Sequence, residues 1–212
     1  MAVLLPDLSL AQFRDELLEI VPETPPETVV ESLFRFYLEL RRWGQRQALI
    51  GSGTAEEVVG RHFGESLAAR PLLPGSPGRL VDLGSGAGFP GVVIAALRPD
   101  LDVWLVESRV RKTAFLRHAT EKASLVCRCL NARVSASLPD GFPDNVDVFT
   151  LRAVRMDLGT WDRLREVLVP AGRVLVWGGP EPPEELGDWK LGRRVRLRGE
   201  RRWILELTPA RK

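Results

Sequence analysis

The chain has 212 residues, enough for one full α/β domain with a modest appendage and too few for two large enzymatic domains. Hydrophobic residues make up 44% and charged residues 27%, with a net charge of +2, a globular mixture that excludes extensive disorder. No apolar run approaches ~20 residues, and MAVLLPDLSL has no basic stretch before its apolar residues, so no membrane partner or signal peptide is expected and the compartment is read as cytoplasmic.

Leu10, Phe13, Leu17 and Ile20 recur at helical spacing, and Val30, Leu33, Tyr37 and Leu40 do so again after the Thr24-Pro25-Pro26 break. Arg41, Arg42 and Arg46 surround Trp43, a mixture that suits RNA, with charge for phosphates and a ring face for stacking. A solvated helix end with a core tryptophan explains the same residues equally well. Thr54, with Glu57 three residues on, is placed to cap a third helix running to about Arg70. Pro71–Gly78 is too rich in Pro and Gly for a regular element. Residues 1–70 are therefore expected to form a helical cap, and residues 79–212 the ligand-binding domain.

Beyond the connector the pattern becomes strand–helix alternation. Leu80–Gly84 is a short apolar strand followed by the helix GVVIAAL, and Asp102–Glu107 is a second strand followed by a charged helix through Lys122. LVCRCLN, VDVFTLR and RVLVWG supply three more strands, which predicts a mostly parallel sheet covered on both faces. Cys127 and Cys129 share one face of the first of these and are too few for a disulfide framework, consistent with a thiol-retaining cytosol. Pro180–Glu185 reads as a loop or helix start. RRVRLRG and RRWILELT alternate around Gly199-Glu200 as an antiparallel hairpin. From Lys190 to Lys212 there are nine Lys or Arg against Glu200 and Glu206, a local charge of +7 that leaves −5 on the rest. Such a tail could meet nucleic-acid phosphates, or be a solvated hairpin in a chain whose bases are mostly arginine.

The sharpest signal is VDLGSGAGFPG, Val81–Gly91, which sets Gly84, Gly86 and Gly88 between a strand and a helix. Glycines there let the backbone approach a ligand, and the helix opening favours a negatively charged ligand group. Gly86 to Gly91 formally matches G-x-G-x-x-G, and Glu107 could bind a ribose. Asp82 separates the candidate ligands. A carboxylate beside a pyrophosphate gains nothing, whereas the ammonium and sulfonium of S-adenosylmethionine both suit one. A nicotinamide dehydrogenase is disfavoured on this ground.

GSGAGFPG, the LVES around Glu107, the NAR at Asn131–Arg133 and the LRAV at Leu151–Val154 resemble the RsmG (GidB) family of bacterial small-subunit ribosomal RNA guanine-N7 methyltransferases. Trp43 after a Tyr-bearing helix and His62–Leu67 extend the likeness to the N-terminal segment. The resemblance implies a class I methyltransferase fold with a Rossmann-like sheet, mostly parallel with a C-terminal antiparallel hairpin, under an N-terminal helical cap. It implies S-adenosylmethionine as cofactor, ribosomal RNA or the small ribosomal subunit as partner, and a monomer. Asp82, Gly84, Gly86, Gly88 and Phe89 would form the cofactor loop, and Glu107 would take the ribose hydroxyls. Val134 and Ser135 would flank the adenine, and Arg152 would sit at the mouth beside cofactor and substrate. The family usually has Trp-Asn, Asn-Leu-Thr, Asp-Ser and Lys-Gly where this chain has Trp43-Gly44, Ala48-Leu49-Ile50, Glu65-Ser66 and Trp177-Gly178, and Glu is common at Ser135.

Guanine N7 offers a lone pair with no proton to remove, so neither a general base nor a metal site is expected, and Arg152 is assigned to positioning. His62 and His118 are isolated in sequence and read as structural or surface histidines. Two other functions fit the same residues: a class I methyltransferase with another RNA or small-molecule acceptor, and a cofactor-binding module without catalysis.

Overall fold

The computed structural model describes residues 5–19, 21, 23–51, 53–54, 56–179, 188–197 and 202–210. Seven strands form one sheet: β1 (Arg79–Leu83), β2 (Asp102–Glu107), β3 (Arg128–Asn131), β4 (Val146–Arg152), β5 (Leu168–Gly178), β6 (Trp189–Arg196) and β7 (Trp203–Pro209). Their spatial order is β3-β2-β1-β4-β5-β7-β6. The first five run parallel, and β7 lies antiparallel between β5 and β6. β1 and β4 are buried almost throughout because helices cover both faces of the sheet. On one face lie α4 (Gly91–Leu97) and α5 (Val110–Lys122); on the other, α6 (Leu158–Val167) packs Trp161 and Leu164 on Val81 and Phe149.

The N-terminal helices join the α4–α5 face. α1 (Leu10–Leu18) opens on a reciprocal cap in which Ser9 and Gln12 satisfy one another's backbone N–H groups. α2 (Glu27–Gly44) turns Leu33, Phe36, Tyr37 and Leu40 inward at helical spacing. Phe36 reaches Phe63, Phe89 and Phe115 at ring-centroid distances of 6.4, 6.0 and 5.8 Å. One aromatic cluster therefore spans the helical segment, the glycine loop and α5.

Several expected elements take a different form. Thr54 and Glu57 do cap one another, at 2.8 and 3.2 Å, but the segment that follows is π-helical from Glu56 to Gly64. It ends in one α-turn, α3 (Glu65–Leu67), and a 3-10 turn at Arg70–Leu72. Gly60 and Gly64 lie within this stretch, and glycine weakens the tighter α-helical ladder. β3 has four residues, so Cys129 is in a strand and Cys127 precedes it; burial pushes the two thiols up to about 11 and about 12. β6 starts at Trp189, before the expected Arg193. Helix α6, capped by Asp157 through the Thr160 N–H, was not foreseen in the sequence. Ile20, Pro180–Glu185 and Gly199-Glu200 lie outside the described residues.

Phe36→Ala should cost about 3–5 kcal/mol in chemical denaturation, the usual range for truncating a buried aromatic ring. Because the aromatic cluster is continuous, far-UV circular dichroism and tryptophan fluorescence should report one transition. Two separated transitions would show a cap that folds by itself.

Candidate active site

The C-terminal ends of β1, β2 and β4 converge on a cavity of about 700 Å³, closed by the glycine loop, the segment after β3 and residues Leu49, Ile50 and His62 from the helical segment. This is the crevice at which open α/β sheets bind ligands. Gly84, Gly86, Phe89, Glu107, Val134, Ser135 and Arg152 all line it. Asp82 and Gly88 do not; both lie behind the wall.

The glycines have separate tasks. Gly84 has φ +67°, and a Cβ there would stand 2.6 Å from the Val154 side chain, so the loops after β1 and β4 can meet only over a bare backbone. Gly88 has φ +97° and faces inward, where a Cβ would stand 2.7 Å from Val92 and 2.9 Å from Phe36. Its task is packing the loop on the aromatic cluster. Opposite Gly84, Ala153 is held at φ +58°, a strained conformation for a residue with a Cβ, directly between Arg152 and Val154 in the cavity wall.

Glu107, at the end of β2, is 6% exposed. Its Oε2 accepts the Gly86 N–H at 2.9 Å and its Oε1 the Arg109 N–H at 2.8 Å. Oε1 also accepts from the Ser108 hydroxyl at 3.4 Å, so the carboxylate is fixed in place and Oε2 keeps a free lone-pair site. One hydroxyl of a vicinal diol such as a ribose could donate there, and the other could replace the Ser108 hydroxyl on Oε1. Phe89, Val134 and Met156 provide apolar wall for a heteroaromatic ring, and Ser135 is tied to Ser137 through its hydroxyl. These features fit S-adenosylmethionine, with Glu107 on the ribose and the glycine loop against the amino-acid end.

Asp82 is 1% exposed and serves as a joint. Its Oδ1 accepts from Thr150 of β4 at 2.7 Å and its Oδ2 from the Gly91 N–H at the start of α4 at 3.2 Å. Burial pushes its carboxyl up to about 6, against the lowering effect of those hydrogen bonds. The sequence argument placed this carboxylate beside a cationic ligand. The structure places it under the loop, joining β1, β4 and α4, so any pull on the ligand acts through the interior.

Arg152 donates to the Glu65 carboxylate at 3.0 Å and to the Arg61 carbonyl at 2.8 Å. Glu65, 4% exposed, is also held by Arg202. Burial pushes Glu65 up and Arg152 down, and each opposes the shift of the other. His62 stands at the same corner with its ring 5.0 Å from Phe89. Burial, then Arg152, Arg61 and Arg202, hold its imidazole down at about 3, so it is neutral. The sequence marked His62 as structural; the fold puts it in the cavity wall, with Leu49 and Ile50. No local signal singles these residues out, because they reach the cavity only through the packing of a segment remote in sequence.

This sheet order, with its antiparallel seventh strand, defines the class I S-adenosylmethionine-dependent methyltransferase fold. Solved structures share the fold: TehB from Haemophilus influenzae (TM-score 0.52, 19% identity, 70% of this chain and 62% of TehB) and a SAM dependent methyltransferase from Aquifex aeolicus (TM-score 0.54, 15%, 68% and 88%). Residues 29–190 match the family model described as GidB: rRNA small subunit methyltransferase G. The chain is similar to the ribosomal RNA small subunit methyltransferase G of Desulfotalea psychrophila, 38% identical over 74% of this chain and 73% of that protein. The likeness to its counterpart in Halorhodospira halophila is 38% over 82% and 80%. The chain belongs to the small-subunit ribosomal RNA methyltransferase G (GidB) family.

Glu107→Ala should weaken S-adenosylmethionine binding at least tenfold by calorimetry, ~1.4 kcal/mol. Wild-type affinity in that variant would remove Glu107 from the site. Because His62 is held at about 3, its imidazole resonances should not titrate between about pH 5 and pH 8. A midpoint in that window would show the ring open to water.

Proposed function

We propose that the protein transfers a methyl group from S-adenosylmethionine to guanine N7 in small-subunit ribosomal RNA. The observation that carries this reading is the rigid Glu107–glycine-loop cradle, which opens into the same cavity as Arg152 in a chain of this family. The cofactor supplies an electrophilic methyl carbon; the chain supplies position and field. Guanine N7 attacks with a lone pair and loses no proton, so nothing in the wall has to act as a base. A neutral His62 agrees with that, since it neither repels the sulfonium nor competes for a proton. Arg152, fixed by Glu65 and the Arg61 carbonyl, is the cation beside the reaction centre, suited to hold an oxygen of the base or its phosphate.

Residues 1–70 act in this reading as a cap over the 79–212 domain, since His62, Leu49 and Ile50 complete the cavity wall. Among the described residues no helix is long and apolar enough to cross a membrane, and the partner is the small ribosomal subunit or its RNA, met by a monomer in the cytoplasm. Nucleoside mass spectrometry of small-subunit RNA from cells with and without the protein tests the reaction. One 7-methylguanosine should disappear with the protein and return when purified protein and S-adenosylmethionine are added. Loss of a different methylated nucleoside, or of none, would overturn the assignment. Arg152→Ala should lower the single-turnover methylation rate at least tenfold while changing RNA affinity much less.

A further inference from the structure

The basic C-terminal hairpin is the obvious place for RNA by sequence, but two of its cations are engaged inside the protein, and Lys190, Arg194 and Arg196 stand on β6, the edge strand three places from β4. Arg193 holds Glu206 at 2.7 Å and the Pro71 carbonyl at 2.9 Å, Arg173 shares Glu206, and Arg202 is bound to Glu65. A second set of cations, of which only Arg42 has an ion pair among the described residues, gathers elsewhere. Arg109, Lys112, Arg133 and Arg155 rim the cofactor cavity. Next to them, where the loop after α2 meets α5, a groove of about 280 Å³ is bordered by Arg42, Trp43, Arg46, Gln47, Arg111 and Ala114. It has three guanidinium groups and no carboxylate. The nearest acid of α2, Glu39, is half spent: it lies 3.0 Å from His118 and 3.9 Å from Arg42.

The groove and the cavity are continuous in the chain on both sides. Gln47 borders the groove, and Leu49 and Ile50 line the cavity; Arg111 borders the groove, and Arg109 and Lys112 line the cavity. Trp43 is anchored by Phe115 at 5.7 Å and His118 at 5.5 Å, so its wall is rigid. The arrangement is unfavourable for the isolated protein. α5 has no acidic residue in its first turn and no cap from the Arg109 side chain, only the Glu107 carboxylate meeting the Arg109 N–H, and it places Arg109, Arg111 and Lys112 where the helix dipole is already positive. Cations crowded so, beside two more from α2 and its loop, are stabilised by an incoming polyanion.

We infer that the Arg42–Arg46–Arg111 groove binds the phosphodiester backbone of the RNA strand next to the target base, holding the strand while that base enters the cavity. This rests on the reading of the protein as an RNA methyltransferase. Backbone contacts fix register and carry the salt dependence, whereas the cavity selects the base.

The test is binding of a naked small-subunit ribosomal RNA transcript at several salt concentrations, beside a methylation assay of the wild type. Replacing Arg42, Arg46 and Arg111 together with Gln should lower the log–log salt slope by about 0.7 for each lost single-strand contact, so by about 2. RNA affinity near physiological salt should fall at least tenfold, with melting temperature and S-adenosylmethionine affinity at wild-type values. The triple Lys variant, which keeps charge, should retain most of the slope. Lys190→Gln with Arg194→Gln on the hairpin should leave it unchanged. A triple Gln variant with the wild-type slope, or a slope lost only in the hairpin variant, would overturn the groove. A wild type that binds the transcript with the expected slope but never methylates it would instead overturn the proposed reaction and leave the groove standing. A wild type that fails to bind the transcript would overturn both.

Discussion

The position of the cavity depends on one buried carboxylate. Glu65 sits at the end of the π-helical segment, almost out of solvent, between Arg152 at the end of β4 and Arg202 just before β7. Its backbone carbonyl accepts the Trp177 indole N–H from the end of β5 at 3.1 Å. One residue of the helical segment is thereby tied to three strands. A charge this deep is tolerable only with its partners in place, and losing one leaves the others uncompensated. The same contacts set where Arg152 points, and they hold His62, three residues earlier in the chain, against Phe89.

The two departures from the family pattern at this corner make physical sense together. Position 177 is the register partner of Arg152 across β4 and β5. A lysine there would add another cation close to a corner that already holds Arg152, Arg202 and Arg61. Tryptophan is neutral, fills the volume and has its single donor satisfied by Glu65. Arg202 supplies the second charge that the carboxylate requires. At the other departure, Glu65 in place of Asp has one more methylene, and its two oxygens reach guanidinium groups brought by β4 and by the approach to β7. The altered residues are thus a self-consistent set around one charge, in a wall shared by the cavity and the hairpin.

What the sequence revealed follows the range of the interactions involved. The parallel strands, α4, the glycine loop and the strand-end places of Glu107 and Arg152 are written locally, in apolar runs and in turns that need positive φ, whereas Val134 is reached only through the family resemblance. The π-helical form of 56–64 was not legible, because nine residues hold too few turns for an i→i+5 repeat to stand out from an i→i+4 one, and tertiary packing decides the turn. Asp82 was found for the wrong physical reason: its neighbours in sequence suggested a ligand, while its partners in space, Thr150 and Gly91, are 68 and 9 residues away. His62 reads in sequence only as a structural or surface histidine, and Leu49 and Ile50 only as part of a departure from the family pattern, since they belong to the cavity wall only once the helical segment lies over the sheet.

Charge shows the same limit most clearly. Summed along the sequence, the strongest positive segment is the C-terminal hairpin, yet a guanidinium already bound to a buried carboxylate has little left to offer a phosphate. Glu206 takes up Arg173 and Arg193, and Glu65 takes up Arg202. Around α2 and α5, Arg35 and Arg41 are paired with Glu31 and Asp7 and Arg42 only loosely with Glu39 at 3.9 Å, while Arg46 and Arg111 have no ion pair among the described residues. An attractive field for a polyanion is set by the cations that folding leaves without partners. Arg46, Arg109, Arg111, Lys112, Arg133 and Arg155 lie by the cofactor cavity and the groove beside it, so the residues proposed to hold the RNA strand and those proposed to position its base are brought together by one short loop and the first turns of one helix.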